Sequence, residues 1–345
     1  MADAYNHEVD DIRAREYPML RDSVYLDHAG TTLYPKSLID RFSADMVGHL
    51  YGNPHSASSA SQLSARRIED ARLRLLQMFH ADPEDFDVVF VANATAGIKL
   101  VLEAFRDQPG GFSYVYHREC HTSLVGVREL ASQHRCFSDA EVDQWLEHKA
   151  QRHNPPGAPV ELFAYPAQSN MNGRRLPLDW CGRARAPQNR VGQATFSLLD
   201  AAAFVSTSPL DFRKPRMAPD FTVLSLYKIF GFPDLGAMIV RKAAIGIFEK
   251  RRYFGGGTVD MVVSGKEQWH AKKEEALHDH LEDGTLPIHS IMALHSALDV
   301  HEKLFGSLER VSRHAMFLAK RLFDGLSSLR HGNGLPVCQP RSMGQ

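Results

Sequence analysis

Short apolar runs alternate with stretches of helical spacing through the middle of the chain. "DVVFVA" (87–92) reads as a buried strand, and after the small-residue turn "NATAG" the residues Ile98, Val101, Leu102 and Phe105 recur at helical spacing. Upstream, Ile68, Ala71, Leu75 and Phe79 mark one face of a helix in "SARRIEDARLRLLQMF". "GFSYVYH" (111–117), "VELFAYP", "ATFSLLD" and "DFTVLSL" are further strand candidates, the first followed by the helical "TSLVGVREL". Strands alternating with helices predict an α/β fold, a mainly parallel sheet with helices on both faces. "QRHNPPGAP" (151–159) and "RARAPQNRVGQ" (183–193) read as surface loops. After Leu304 the spacing turns helical again in "SLERVSRHAMFLAKRLFDGL". The chain then stops in "LPVCQPRSMGQ", without a pattern that finishes a second domain.

Composition changes this picture little. The 345 residues are 43% hydrophobic and 23% charged, with a net charge of −1, so nothing points to nucleic acid or to an anionic membrane surface. The start, "MADAYNHEVDDIRAREYP", lacks the apolar core of a signal peptide, and no apolar stretch approaches a membrane span. Cys120, Cys136, Cys181 and Cys338 show neither C-x-x-C spacing nor a metal-ligand pattern. They predict free thiols in a cytoplasmic protein without a metal site.

Candidate chemistry gathers at strand ends, where open α/β sheets bind ligands. The turn Asn93-Ala94-Thr95-Ala96-Gly97 opens a helix, and its N–H groups with the Thr95 hydroxyl suit a phosphate; an ordinary N-cap explains the same residues. Asp200 ends "FSLLD", and three alanines behind it leave room for a flat ring. A buried carboxylate there needs a partner, either a backbone turn or a protonated ring nitrogen. Lys228 in "SLYKIFGF" is either a surface lysine lying along apolar neighbours or a desolvated amine that forms a Schiff base. His121 in "ECHTSL" could stack on a flat cofactor or bond to a backbone carbonyl, and Asn170 in "PAQSNMNG" could reach a ring oxygen or make an Asx turn. Ser225 adds a possible phosphate donor, and "YFGGGTV" (253–259) is either a loop over a phosphate or a hairpin turn. Together, phosphate seat, acid and lysine are the parts that hold pyridoxal 5'-phosphate.

Eight motifs in collinear order resemble the class V branch of pyridoxal-phosphate enzymes: "YLDHAGTT", "YGNPHS", "NATAGIKL", "ECHTSL", "AQSN", "LLDAAAFVSTSPLD", "SLYKIFGFPDLG" and "YFGGGTV". The first resembles the cysteine desulfurase signature. "STSPLD" and the Tyr227-Lys228 pair are most similar to the N-terminal domain of the eukaryotic molybdenum cofactor sulfurases. The likeness runs from about residue 15 to 338. It implies a fold-type I transferase with an extension over 1–20, a large domain over 21–304 and the start of a truncated small subdomain over 305–345.

It also implies roles. Lys228 is the Schiff-base lysine, Asp200 faces the ring nitrogen and His121 stacks on the ring. Ala94, Thr95 and Ser225 cradle the phosphate, and Asn170 lies near the ring oxygen. Thr258 contacts the phosphate of the other subunit in a homodimer. Tyr227 and Ala203 stand where many desulfurases carry histidine and glutamine. The implied activity takes sulfur from L-cysteine, releases alanine and passes the sulfur to the molybdenum cofactor through a C-terminal domain. The persulfide cysteine and the arginine for the substrate carboxylate are expected beyond this chain; neither Cys338 nor Cys120 is nominated for the thiol role. A selenocysteine lyase, another class V enzyme, or a catalytically silent fragment are the alternatives.

Overall fold

The computed structural model describes residues 4–149, 159–185, 195–265, 269–273 and 276–340. Seven strands form one sheet: β1 (Phe86–Val91), β2 (Phe112–His117), β3 (Gln133–Phe137), β4 (Val160–Pro166), β5 (Thr195–Asp200), β6 (Phe221–Ser225) and β7 (Gly236–Arg241). Their order is β1-β7-β6-β5-β4-β2-β3. Strands β2 to β6 pair in parallel, while β7 runs antiparallel to both neighbours. Only residues 226–235 separate β6 from β7, too few for the crossover a parallel pair needs. The mainly parallel α/β sheet expected from the sequence is therefore present, with one reversed strand.

Alternation of buried side chains shows that both faces are covered. Val88, Phe90, Phe163, Tyr165 and Leu199 belong to one apolar cluster, under the helices Ser59–Met78 and Ile288–Phe305. Val89, Leu162, Ala164 and Leu198 belong to a second, under the helix Ala94–Arg106. Successive residues serve opposite faces, as the period of two in a strand requires. The two sheet edges differ. Strand β3 is short and exposed, with a half-exposed Arg135 that pairs with Glu161 (3.5 Å), and a charge on the edge strand discourages edge pairing. At the β1 edge, Phe90 N–H donates to Glu282 Oε1 (2.6 Å), and Arg72 donates to Val88 carbonyl (2.6 Å) and to Glu282 Oε1 (2.7 Å). A buried ion pair thus caps the backbone groups that would otherwise be open.

Some expectations need correction. "TSLVGVREL" is helical only over Thr122–Val125 and continues as a 3-10 turn over Gly126–Leu130. Arg183 and Ala184, read as loop, close the helix Trp180–Ala184; the rest of that stretch beyond Arg185 lies outside the described residues, as do 151–158. The strands β3, β7 and the hairpin β8 (Val259–Val263) with β9 (Trp269–Lys272) are additional. Near the end, the helix Leu308–Ser328 follows Ile288–Phe305 but buries only Leu308, leaving Met316 at 44% and Leu322 at 63% exposure.

Candidate functional site

Reversal of β7 brings its first residue, Gly236, level with the last residues of β1 and β6, where it pairs with Val91 and Ser225. The carboxyl ends of β1, β2, β4, β5 and β6 therefore open on one side of the sheet, the side on which α/β proteins bind ligands.

Beyond β1, Asn93 is the N-cap of the helix Ala94–Arg106, its Oδ1 accepting the Ala96 N–H (3.0 Å). Ala94 N–H donates to Ser225 Oγ (3.1 Å), tying the helix start to the end of β6 and leaving the Ser225 hydroxyl proton available. Among the described residues no acceptor engages the Thr95 N–H or its exposed hydroxyl. A helix start with free donors and a positive dipole end suits an anion. The seat depends on Gly236: a Cβ there would stand 2.5 Å from Asn93 Cα.

Asp200 ends β5 and is 8% exposed. Its Oδ1 accepts the Ala202 N–H (3.0 Å), and among the described residues Oδ2 has no donor. Burial holds this carboxyl above its ordinary range, opposed by the Ala202 N–H and by the charges of His121 and Lys228.

Lys228 sits in the four-residue helix Tyr227–Phe230 directly after β6, half-buried. The turn is fixed from several directions. Leu226 N–H donates to Leu235 carbonyl (2.9 Å), and the Tyr227 carbonyl accepts from Thr32 (3.3 Å) and Gly231 (3.0 Å). Gly231 has φ +79, and a Cβ on it would lie 2.3 Å from Tyr34 N and 2.4 Å from Leu33 C, so the Leu33-Tyr34 backbone packs where only glycine fits. The Lys228 amine itself makes no hydrogen bond or ion pair among the described residues.

His121 caps the helix Thr122–Val125: its Nδ1 accepts the Ser123 N–H (3.2 Å), which leaves Nε2 exposed and carrying the proton of the neutral ring. Asn170 is exposed in the turn after β4, which begins at Ala167, whose N–H donates to the Asp200 carbonyl (2.8 Å). The Asx turn in this segment belongs to Asn172, whose Oδ1 accepts the Arg174 N–H (2.9 Å). Thr258 lies apart from these residues within the chain. It is buried, bonded to Gly255 carbonyl (2.8 Å), and lines a cavity with Phe248 and Leu281. Gly255 N–H in turn donates to Asp283 (2.8 Å), so "YFGGGTV" is a tethered loop.

Sequence reasoning passed over Glu119. Its carboxylate accepts from Ser169 Oγ (2.7 Å) and Asn172 Nδ2 (3.2 Å), joining the loop that carries His121 to the turn that carries Asn170. Nothing in the spacing of "RECH" marks it, since the partner is 50 residues away. Cys120 points inward, donating to Ala164 carbonyl (3.7 Å), and burial pushes its thiol well above the ordinary value. It remains protonated and is no nucleophile.

The donors fit a flat cofactor with an anionic end. There is an open anion seat, a carboxylate with an idle oxygen for a protonated ring nitrogen, an amine without a partner among the described residues for an aldehyde, and an imidazole held by Ser123 at its Nδ1.

The fold and this arrangement of strand ends define a transferase-type α/β chain, and it belongs to the aminotransferase class-V family, whose model matches residues 24–340. Its relatives include the molybdenum cofactor sulfurase of Aspergillus clavatus, 62% identical over 337 residues, which cover 97% of this chain and 40% of that protein. That of Neurospora crassa is 62% identical over 340 residues, 97% of this chain and 36% of the relative. The chain thus spans about two fifths of the length of these relatives. Among solved structures, the cystine C-S lyase C-DES in complex with cysteine persulfide superposes with a TM-score of 0.73 at 21% identity, covering 92% of this chain and 81% of the other. The apo cysteine desulfurase of Thermococcus onnurineus NA1 gives 0.72 at 17% identity, with 92% and 76% covered. At these identities the structures establish the fold.

Proposed function

We propose that this chain binds pyridoxal 5'-phosphate and acts as the sulfur-releasing part of a molybdenum cofactor sulfurase, with L-cysteine as sulfur donor. The observation that carries the reading is the buried Asp200 with one idle oxygen, which feels the charges of His121 and Lys228, each placed just after a strand's carboxyl end, the Lys228 amine having no partner among the described residues. The 62% identity to a molybdenum cofactor sulfurase supports this reading over a selenocysteine lyase. Lys228 would hold the cofactor aldehyde, Asp200 its ring nitrogen, and Thr95 with Ser225 its phosphate. Asn170 would reach its ring oxygen. When bound, the cofactor serves as an electron sink that weakens bonds at the substrate.

The residues of the chain supply position and protons. The Glu119 bond to Ser169 ties down the loop that carries His121, and a His121 imidazole that has taken up a proton from the substrate would hand it on. The sulfur of L-cysteine leaves to an acceptor thiol as a persulfide, and alanine is released. We assign that thiol to none of the four cysteines here. Cys120 and Cys181 are shielded, with the Cys181 thiol pushed up to about 12 by burial, while Cys136 stands on the far edge strand and Cys338 donates to Leu326 carbonyl (3.3 Å). We also infer a homodimer in which Thr258 completes the partner's phosphate seat, and delivery of the sulfur to the molybdenum cofactor. The four free thiols support a reducing compartment, the cytoplasm.

The test uses purified protein loaded with cofactor, supplied with L-cysteine and dithiothreitol as sulfur acceptor. Alanine should accumulate, and Lys228→Ala should abolish it. No alanine from loaded, folded protein would support the silent-fragment reading.

A further inference from the structure

A second cavity adjoins the lysine turn from a different direction. It holds about 190 Å³ and touches Ile229 and Phe230 but not Lys228. Its other walls come from the helices Ile288–Phe305 and Leu308–Ser328 and from the segment around Tyr17. For comparison, an apolar protein cavity of about 150 Å³ accommodates benzene.

The lining is apolar in its body and donor-rich in its polar part. His301 is wedged edge-on between Phe230 (ring centroids 5.4 Å) and Phe305 (5.2 Å) and has no hydrogen-bond partner among the described residues. Burial lowers its pKa to about 4, so it is neutral at physiological pH. The Tyr17 hydroxyl likewise lacks a partner, and burial pushes it to about 12, leaving it a donor. His314 accepts the Asn6 N–H at Nδ1 (3.0 Å), so its remaining ring nitrogen is a donor as well. Arg310 also lines the cavity, and its carboxylate contact among the described residues is Glu8 at 4.0 Å, the limit of an ion pair. No carboxylate side chain is among the lining residues. Three donors, one of them cationic, around an apolar body match a ligand with a single negative head.

We propose that this cavity is a binding site for a small monocarboxylate with a compact apolar body, its carboxylate held by Arg310, Tyr17 and His314 and its body against Phe230, His301 and Phe305. An occupant would brace the helix that carries Lys228 without entering the lysine's own site.

Benzoate is the probe, and calorimetric titration of the cofactor-free protein is the measurement. One saturable site is expected. Ala297→Leu should fill the cavity and abolish binding. Arg310→Gln should weaken benzoate roughly tenfold while leaving uncharged benzyl alcohol unaffected, the difference being the lost charge-assisted bond. Far-ultraviolet circular dichroism shows whether each variant is folded, and the exposed Arg310→Gln keeps the test decisive if Ala297→Leu is not. Absence of saturable binding to the wild type, or equal benzoate affinity in wild type and Arg310→Gln, overturns the proposal. Neither readout involves the cofactor, so the outcome is separate from the fate of the Lys228 assignment.

Discussion

Gly236→Ala perturbs the anion seat without touching any group proposed to contact a ligand. The added Cβ would lie 2.5, 2.7 and 2.8 Å from Asn93 Cα, C and N. Favourable carbon contacts begin near about 3.5 Å, so the overlap is about 1 Å, against backbone on one side and a strand paired on both edges on the other. Neither can rotate away. Overpacking of this kind costs about 3 kcal/mol, which for a chain of 345 residues corresponds to a fall in Tm of about 4 °C. Relief must come from moving Asn93, which breaks the geometry of its bond to Ala96 N–H (3.0 Å) and of Ala94 N–H to Ser225 (3.1 Å). A displacement near 1 Å in positioning groups costs up to about a hundredfold in function, so affinity for pyridoxal phosphate should fall at least about tenfold. Thermal unfolding and a spectroscopic cofactor titration measure the two effects. Gly325→Ala is the control. It lies inside the helix Leu308–Ser328 with no atom within 4 Å of its Cβ, and should gain about 0.5–1 kcal/mol with unchanged cofactor affinity. Wild-type Tm and wild-type affinity in Gly236→Ala would refute the reasoning.

Two further outcomes follow from the charge pairs. Glu282→Ala leaves the Phe90 N–H without its acceptor and the buried Arg72 guanidinium with the half-exposed Glu69 (3.0 Å) as its remaining carboxylate, and should cost about 3 kcal/mol in denaturant unfolding with an unchanged m-value. A loss below about 1 kcal/mol would mean the β1 edge is not sealed by this pair. The Arg174 hydrogen bond (2.9 Å), with His117, depresses the Asp139 carboxyl to about 2. A depressed folded pKa gives stability that is present above the unfolded value and is lost as pH falls from about 4 to about 2. Asp139 is 40% exposed, so solvent screening shrinks the effect and salt shrinks it further. The stability gap between wild type and Asp139→Asn, followed by acid titration, should be open at pH 6 and close across that window.

The strands that carry the site were legible because each is an apolar run ending in a polar residue: β1 before Asn93, β5 ending on Asp200 and β6 before Lys228. Burial on both sheet faces makes such runs continuous, and the signal is strong. Strand β3 was not legible. "QHRCF" is exposed along most of its length and has no apolar pattern to read. Strand β7 follows a turn that looks like the end of the lysine motif, and its reversal comes from the brevity of residues 226–235 rather than from its composition. Within the site, residue types at strand ends were readable, but their tethers were not. Glu119 with Ser169, and Gly236 against Asn93, join positions far apart in the chain. Ser225 illustrates the limit: its hydroxyl was expected as a donor, and the structure shows it first accepting from Ala94 N–H.

The central claim is that Lys228 is the amine that holds the cofactor, and borohydride trapping followed by peptide mass analysis tests it most directly. Protein incubated with pyridoxal phosphate and reduced should carry the pyridoxyl group on the peptide containing "SLYKIFGF", at Lys228, with the visible absorbance band lost in Lys228→Ala. Label on another lysine, or an unchanged band in Lys228→Ala, would contradict the account.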